Sequence, residues 1–231
     1  MGAIDEASAD EPRRSGEQSS EANGDPGGQP NGSLPKFDPN PSARFGSELL
    51  TSEGVPHALI GRIAMWALLP SDQHEFTKDV DFAVPLRFCE SIRVALVRRN
   101  MTPRDLAIGG LGLREGEIRV DFIDRREGGL NLLFEEAIAA AAGSGHRARV
   151  HGADIPVVPP EYLLALKVVA AERKDQDDAV RLMRALPDLD LRRARDIVFR
   201  HGGPGSANLL DALARQAGRP DARPEYRNGG Y

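Results

Sequence analysis

The sequence predicts an α+β protein, a small mixed sheet with flanking helices followed by a helical C-terminal half. Three observations predict it. Up to position 158, short apolar runs of strand character are interspersed with stretches of helical spacing. From Pro159-Pro160 onward every apolar pattern has helical spacing. The two ends of the chain are polar and rich in Gly, Pro and charge, so the core must lie between them.

In chain order, residues 1–43 read as a disordered acidic and polar tail, because their few large apolar side chains cannot offset the entropy of ordering. Residues 44–158 form the mixed core. Gly46 to Ser52 predicts a short helix, Val55 to Ile60 a strand broken into by Pro56, and Ile63 to Leu69 a helix. A polar loop, Pro70 to Glu75, leads to a strand from Lys78 to Val84 that ends at Pro85. Leu86 to Arg99 places apolar residues at 86, 88, 92, 95 and 96, a helical stripe. Asp105 to Leu113 and Glu117 to Ile123 read as a hairpin, with Gly116 in the turn Arg114-Glu115-Gly116. Asn131 to Ala142 is a helix stopped by Gly143, and Arg147 to Val150 and Ile155 to Val158 are short strands around His151-Gly152-Ala153-Asp154. Residues 159–217 are the helical part, with helices at about 161–172, 174–186, 190–201 and 206–217, broken at Pro187 and at Gly202-Gly203-Pro204. Residues 218–231 form a second loose tail.

The net charge of −5 argues against sequence-independent wrapping of nucleic acid, while leaving room for a local basic groove and RNA as a substrate. A single cysteine, Cys89, excludes an intramolecular disulfide and a cysteine-rich zinc site, and fits a reducing compartment. No signal peptide and no apolar run near membrane-spanning length is evident, so the cytoplasm is the expected location. The histidines His57, His146, His151 and His201 are scattered and lack zinc spacing, and His74 sits in a polar loop, so none reads as a ligand or base.

Asp79 and Asp81 stand two residues apart in a segment otherwise built as a buried strand, so both carboxylates project from one face. Like charges there cost stability unless a cation joins them. Upstream, the apolar run Ala58-Leu59-Ile60, then Gly61, then a helical segment read as strand, glycine turn and helix N-terminus, a place where backbone N–H groups meet phosphates. Asp121 is a third carboxylate, on a strand whose apolar residues 118, 120 and 122 face the other way. If its strand lies beside that of Asp81, the three converge. Magnesium takes a few carboxylates with phosphate oxygens and water, and two ions about 4 Å apart can hold the attacking and leaving oxygens of a phosphoryl transfer. Lys167 lies on a helix of mostly apolar neighbours and must either snorkel to the surface or enter a cleft. Trp66 reads as core packing or as part of a base pocket.

With these residues in place, the chain resembles the nucleotidyltransferase superfamily of DNA polymerase beta type, and most closely its AbiEii-like branch, the toxins of type IV toxin–antitoxin systems. The resemblance spans roughly residues 48–190. It rests on Ile60-Gly61-Arg62-Ile63-Ala64, on Thr77-Lys78-Asp79-Val80-Asp81, on Asp121, and on Glu161 to Lys167 followed by Arg173-Lys174-Asp175-Gln176-Asp177-Asp178. It implies a minimal nucleotidyltransferase fold and an enzyme that moves a nucleoside monophosphate from an NTP to a hydroxyl of tRNA or of a protein. A partner antitoxin is implied, and no membrane. Asp79 and Asp81 would bind two Mg2+ ions, and Asp121 would complete the metal site and assist the attacking hydroxyl. Gly61, Arg62, Thr77, Lys78, Lys167 and Asp175 would serve the nucleotide, with Lys167 also catalytic through its reach toward phosphate or developing charge. Asp175 and Asp178 would organise the helical half against the site.

Two positions depart from the family pattern: Arg62 stands where a second small residue is common, and Glu75 where many members carry arginine. Either Arg62 supplies the lost positive charge, to phosphate or by pairing with Glu75, or the phosphate pocket has decayed. Two rival readings follow. One is an antibiotic adenylyltransferase acting on small-molecule hydroxyls, and the other is a domain that binds nucleotide or a partner without catalysis.

Overall fold

The computed structural model describes residues 38–126, 130–150 and 153–219. Most of the two expected tails, and His151-Gly152 of the short turn, lie outside the described residues. The expected α+β class holds, with a mixed first half and a helical second half.

Helix α1 (Asn40–Ser52) starts earlier than predicted, inside the stretch read as tail. Its first turn is anchored by fully buried Ser42, whose Oγ accepts from the Arg119 N–H at 2.8 Å and donates to the Glu117 carbonyl at 3.3 Å. Strand β1 (Ala58–Ile60) runs straight into helix α2 (Gly61–Leu68), and β2 spans Val80–Ala83. After Pro85 a short 3-10 turn precedes α3 (Cys89–Arg98). The predicted strand 105–113 divides into β3 (Arg104–Asp105) and β4 (Leu111–Glu115), because Gly109 and Gly110 turn the chain with φ of 95° and 101°. The hairpin closes with β5 (Ile118–Ile123).

The five strands form one sheet in the order β1-β2-β5-β4-β3. All neighbours are antiparallel except β2 and β5, which run parallel with Phe82 opposite Phe122 and Asp81 opposite Asp121. Period two then divides the faces. Val80, Phe82, Val120 and Phe122 are at most 1% exposed and face the core beneath α1, and the rings of Phe82 and Phe122 stack at 6.3 Å. Asp79, Asp81 and Asp121 are left on the opposite face.

Helix α4 (Leu130–Ser144) leads to a separate hairpin, β6 (Arg147–Val150) and β7 (Ala153–Pro156). A parallel bridge from Val157 to Leu59, with the Val158 N–H bonded to the Leu59 carbonyl at 3.2 Å, fastens this segment to β1. Pro159 and Pro160 then open α5 (Pro160–Ala170), the proline ring fitting a first turn whose N–H groups are unbonded in any case. Helix α6 (Arg173–Ala185) and the long α7 (Leu191–Gln216) pack on α5 through Leu163, Leu164, Val168, Leu182, Met183 and Val198, all fully buried. Asp190 caps α7 through the Arg193 N–H at 2.9 Å. The predicted break near Gly202-Gly203-Pro204 is a kink at Gly203 (φ 72°, ψ −173°), and the helix resumes beyond it.

Candidate active site

Gly61, Arg62, Thr77, Lys78, Asp79, Asp81, Asp121, Lys167 and Asp175, the residues expected from the sequence to hold metal or nucleotide, line one cleft of about 520 Å3. Its floor is the carboxylate face of β2 and β5. Its opposite wall is the stripe Leu163, Leu166, Lys167 and Ala170 of α5, continued by Asp175 and Asp178 of α6.

The parallel register sets Asp81 and Asp121 side by side, and Asp79 extends the same face at the entry to β2. Behind Asp81, Gly61 adopts φ 66°, and a Cβ there would collide with the Asp81 Oδ2. Only glycine meets both demands at low cost, so the strand-to-helix turn closes tightly over the carboxylate. Burial first, then the charges of Asp121 and Asp79, push the Asp81 carboxyl up to about 7, against the opposing pull of Lys167 and Arg114.

Arg114 is the residue that the sequence did not single out. Predicted as part of a hairpin turn, it lies in β4, two residues from Gly112, which pairs with Asp121. Its Nη2 bridges Asp79 Oδ1 at 3.1 Å and Asp121 Oδ2 at 3.0 Å. The guanidinium stays charged, since its bond to Asp121 and the neighbouring carboxylates outweigh burial. Its position on the Asp121 face by strand parity was the only signal, and that parity becomes informative once β4 is known to flank β5.

Across the cleft the Lys167 ammonium donates to Asp175 Oδ1 at 2.7 Å and Asp178 Oδ2 at 2.8 Å. All three residues are at most 9% exposed. Burial alone would lower the lysine, but the two carboxylates outweigh it and hold the amine above its ordinary range. Lys167 therefore enters the cleft wall instead of snorkelling outward, with two of its three N–H groups already committed.

Arg62 pairs with Glu75 at 3.4 Å, as one branch of the sequence reading anticipates, and also lies 3.7 Å from Asp178. Its Nη1 donates to the Phe76 carbonyl at 3.0 Å. Glu75 is shared with Arg181 of α6. The Thr77 hydroxyl donates to the Asp79 carbonyl at 3.1 Å, bracing the approach to β2. Lys78 is exposed at the cleft and, like Arg125 on the same cleft, has no carboxylate partner among the described residues. Trp66 is half-buried, stacks on His74 at 5.2 Å and donates from Nε1 to the Glu75 carbonyl at 3.1 Å, so it supports the loop and does not line the cleft.

The donor set suits a hard divalent cation: it is all carboxylate, it is mutually repulsive, and the buried Oδ1 of Asp121 has no hydrogen-bond partner. Among the described residues no three acidic, histidine or cysteine side chains are already grouped to hold a metal ion, and the Arg114 guanidinium stands between Asp79 and Asp121 as their cation.

No protein-family model matches the chain, and no curated protein matches it significantly. Among solved structures it is similar to an antigenic nucleotidyltransferase-like protein from Paracoccidioides brasiliensis, with 16% identity and a TM-score of 0.47 over 75% of this chain and 92% of that one. It is also similar to the antibiotic-resistance factor ANT(2'')-Ia, with 14% identity and a TM-score of 0.39 over 73% of this chain and 86% of that one. Likeness at this level concerns the fold alone, so any functional reading rests on the side chains. Among the described residues no helix is long and apolar enough to cross a membrane.

Proposed function

We propose that this chain is a magnesium-dependent nucleotidyltransferase that moves a nucleoside monophosphate from an NTP to a hydroxyl of tRNA or of a protein. On this reading it acts in the cytoplasm as an AbiEii-like toxin held by a partner antitoxin. The observation that carries the transfer chemistry is the register of Asp81 with Asp121, which with Asp79 makes one carboxylate face on the floor of a cleft beside the Gly61 turn. The acceptor and the toxin role rest on the sequence resemblance.

Asp79 and Asp81 would hold two Mg2+ ions with Asp121. When bound, the ions neutralise the phosphates and the charge that develops on them. Gly61 keeps side-chain bulk away from the start of α2, so its first backbone N–H groups are available to phosphate oxygens. Asp121 takes the proton of the attacking hydroxyl on its carboxylate as the new P–O bond forms, and pyrophosphate leaves from the NTP. Lys78 meets the phosphates from the cleft mouth. Lys167, held by Asp175 and Asp178, places positive charge on the far wall and uses its remaining N–H toward the substrate. Arg62 braces the loop before β2 through Glu75 and Phe76.

The test incubates the protein and Mg2+ with each of the four labelled NTPs, total RNA and a protein extract. Label passes to RNA or protein, and Asp79→Asn abolishes it. No transfer with any nucleotide overturns the reading, and antibiotic resistance without growth arrest in an expressing strain would move the acceptor to a small molecule.

A further inference from the structure

Phe76 presents an aromatic ring to the cleft with 56% of its surface exposed. Leaving a ring of this size in water forgoes the burial that places most phenylalanines inside. The loop that carries it is nonetheless tied down residue by residue. His74 Nε2 lies 3.0 Å from the Leu69 carbonyl and its ring stacks on Trp66. The Glu75 carbonyl accepts from Trp66, and the Glu75 carboxylate meets Arg62 and Arg181. The Phe76 carbonyl accepts from Arg62, and Thr77 bonds to the Asp79 carbonyl. These contacts fix the backbone on both sides of Phe76 while leaving its ring without an aromatic partner among the described residues.

Of the other exposed large apolar side chains, Val94, Val97 and Phe199 do not line the cleft, while the aliphatic Ile108 does, so Phe76 is the exposed aromatic ring there among the described residues. It lies in the same segment as Thr77, Lys78 and Asp79, and it shares the cleft with the apolar residues Leu166 and Ala170 of α5. A flat, partly polar ring system attached to a polyanion matches this pairing of an apolar mouth with a polar floor. Stacking on an aromatic face accepts any base, because every base has a π-face.

Resting on the nucleotidyl-transfer reading above, we propose that Phe76 is the platform on which the base of the bound nucleotide stacks, a specificity-determining residue that selects nucleotides over bare polyphosphates while tolerating all four bases. The bonds from Arg62 and Trp66 hold the platform in place before the ligand arrives.

Calorimetry on the full chain with Mg2+ tests this, titrating ATP, CTP, GTP, UTP and inorganic tripolyphosphate into wild type, Phe76→Ala and Phe76→Tyr. Phe76→Ala weakens all four nucleotides on the order of tenfold, the loss of one stacked base, and leaves tripolyphosphate binding unchanged. Phe76→Tyr restores nucleotide affinity. Unchanged nucleotide affinity in Phe76→Ala, or equal losses for nucleotides and tripolyphosphate, overturns the platform while leaving nucleotide binding standing. A wild-type protein that binds neither overturns the nucleotidyl-transfer reading, and the platform with it.

Discussion

Asp81 and Asp121 face each other across two hydrogen-bonded parallel strands, at the same level and on the same side of the sheet. Two carboxylates held this way repel, and the repulsion is relieved by the Arg114 guanidinium, which bridges Asp79 and Asp121. The floor of the cleft is therefore a cation-requiring surface that carries its own cation.

Arg114→Gln removes that cation and leaves three carboxylates facing one another. Without divalent ions this variant loses about 1–3 kcal/mol of stability, the cost of uncompensated, partly buried charge. Added Mg2+ or Mn2+ raises its melting temperature by more than it raises that of the wild type. Thermal unfolding with and without the ion checks both.

Gly61→Ala forces a side chain into φ 66° and against the Asp81 carboxylate. Strain of this kind costs about 1–3 kcal/mol, so the urea midpoint falls. Displacement of the Asp81 oxygen lowers nucleotide affinity in the same variant, measured by calorimetry.

Lys167→Met leaves Asp175 and Asp178 buried without the ammonium that joins them, Asp178 keeping only Arg62 at 3.7 Å. Breaking such a group by removing one partner costs about 3–5 kcal/mol. Adding Asp175→Asn and Asp178→Asn to Lys167→Met recovers part of the loss, because the buried charges go with it. Denaturant unfolding of the single and triple variants gives the difference.

His57 makes stability depend on pH. Burial lowers its pKa, with a smaller contribution from Arg147, and together they override the raising effect of its 2.8 Å bond to the Val55 carbonyl. The folded protein thus takes up this proton less readily than the unfolded chain, whose imidazole titrates near 6.5. The stability is fully present above that pH and is lost as pH falls below it toward the depressed folded value. His57 therefore lowers the urea midpoint between pH 7.5 and pH 5.5, while proton uptake by Asp81 on the folded protein raises it over the same range. The difference between wild type and His57→Gln isolates the histidine: the variant gains on the wild type as pH falls.

Much of this site was legible because its signals are local. Asp79 and Asp81 are two apart on a strand, and Gly61 sits between an apolar run and a helix, so residue type and period suffice. The neighbourhood of β2 and β5 was not, since their parallel pairing is reached only through α3, β3 and β4, and a sequence does not state its register. Arg114 was lost for the same reason, because its partners lie across strands. Lys167 was placed in the cleft, but its two carboxylate partners became visible only when α5 and α6 were set side by side. The pairing of Arg62 with Glu75 was anticipated as one alternative, while the additional contacts to Phe76 and Asp178 follow from the folded loop. The strand at 105–113 reads too long because Leu106 and Ile108 alternate, as do Leu111 and Leu113, but the phase shifts across Gly109 and Gly110, whose backbone turns the chain.

The central claim is that Asp79, Asp81 and Asp121 act together on a divalent cation. Titration of Mn2+ into the wild-type chain, followed by calorimetry or by its electron paramagnetic resonance signal, tests it most directly alongside Asp81→Asn and Asp121→Asn. The account predicts saturable binding by the wild type, strengthened by an NTP, and its loss in each variant. Equal Mn2+ binding by wild type and both variants, or none by the wild type with or without an NTP, would contradict it.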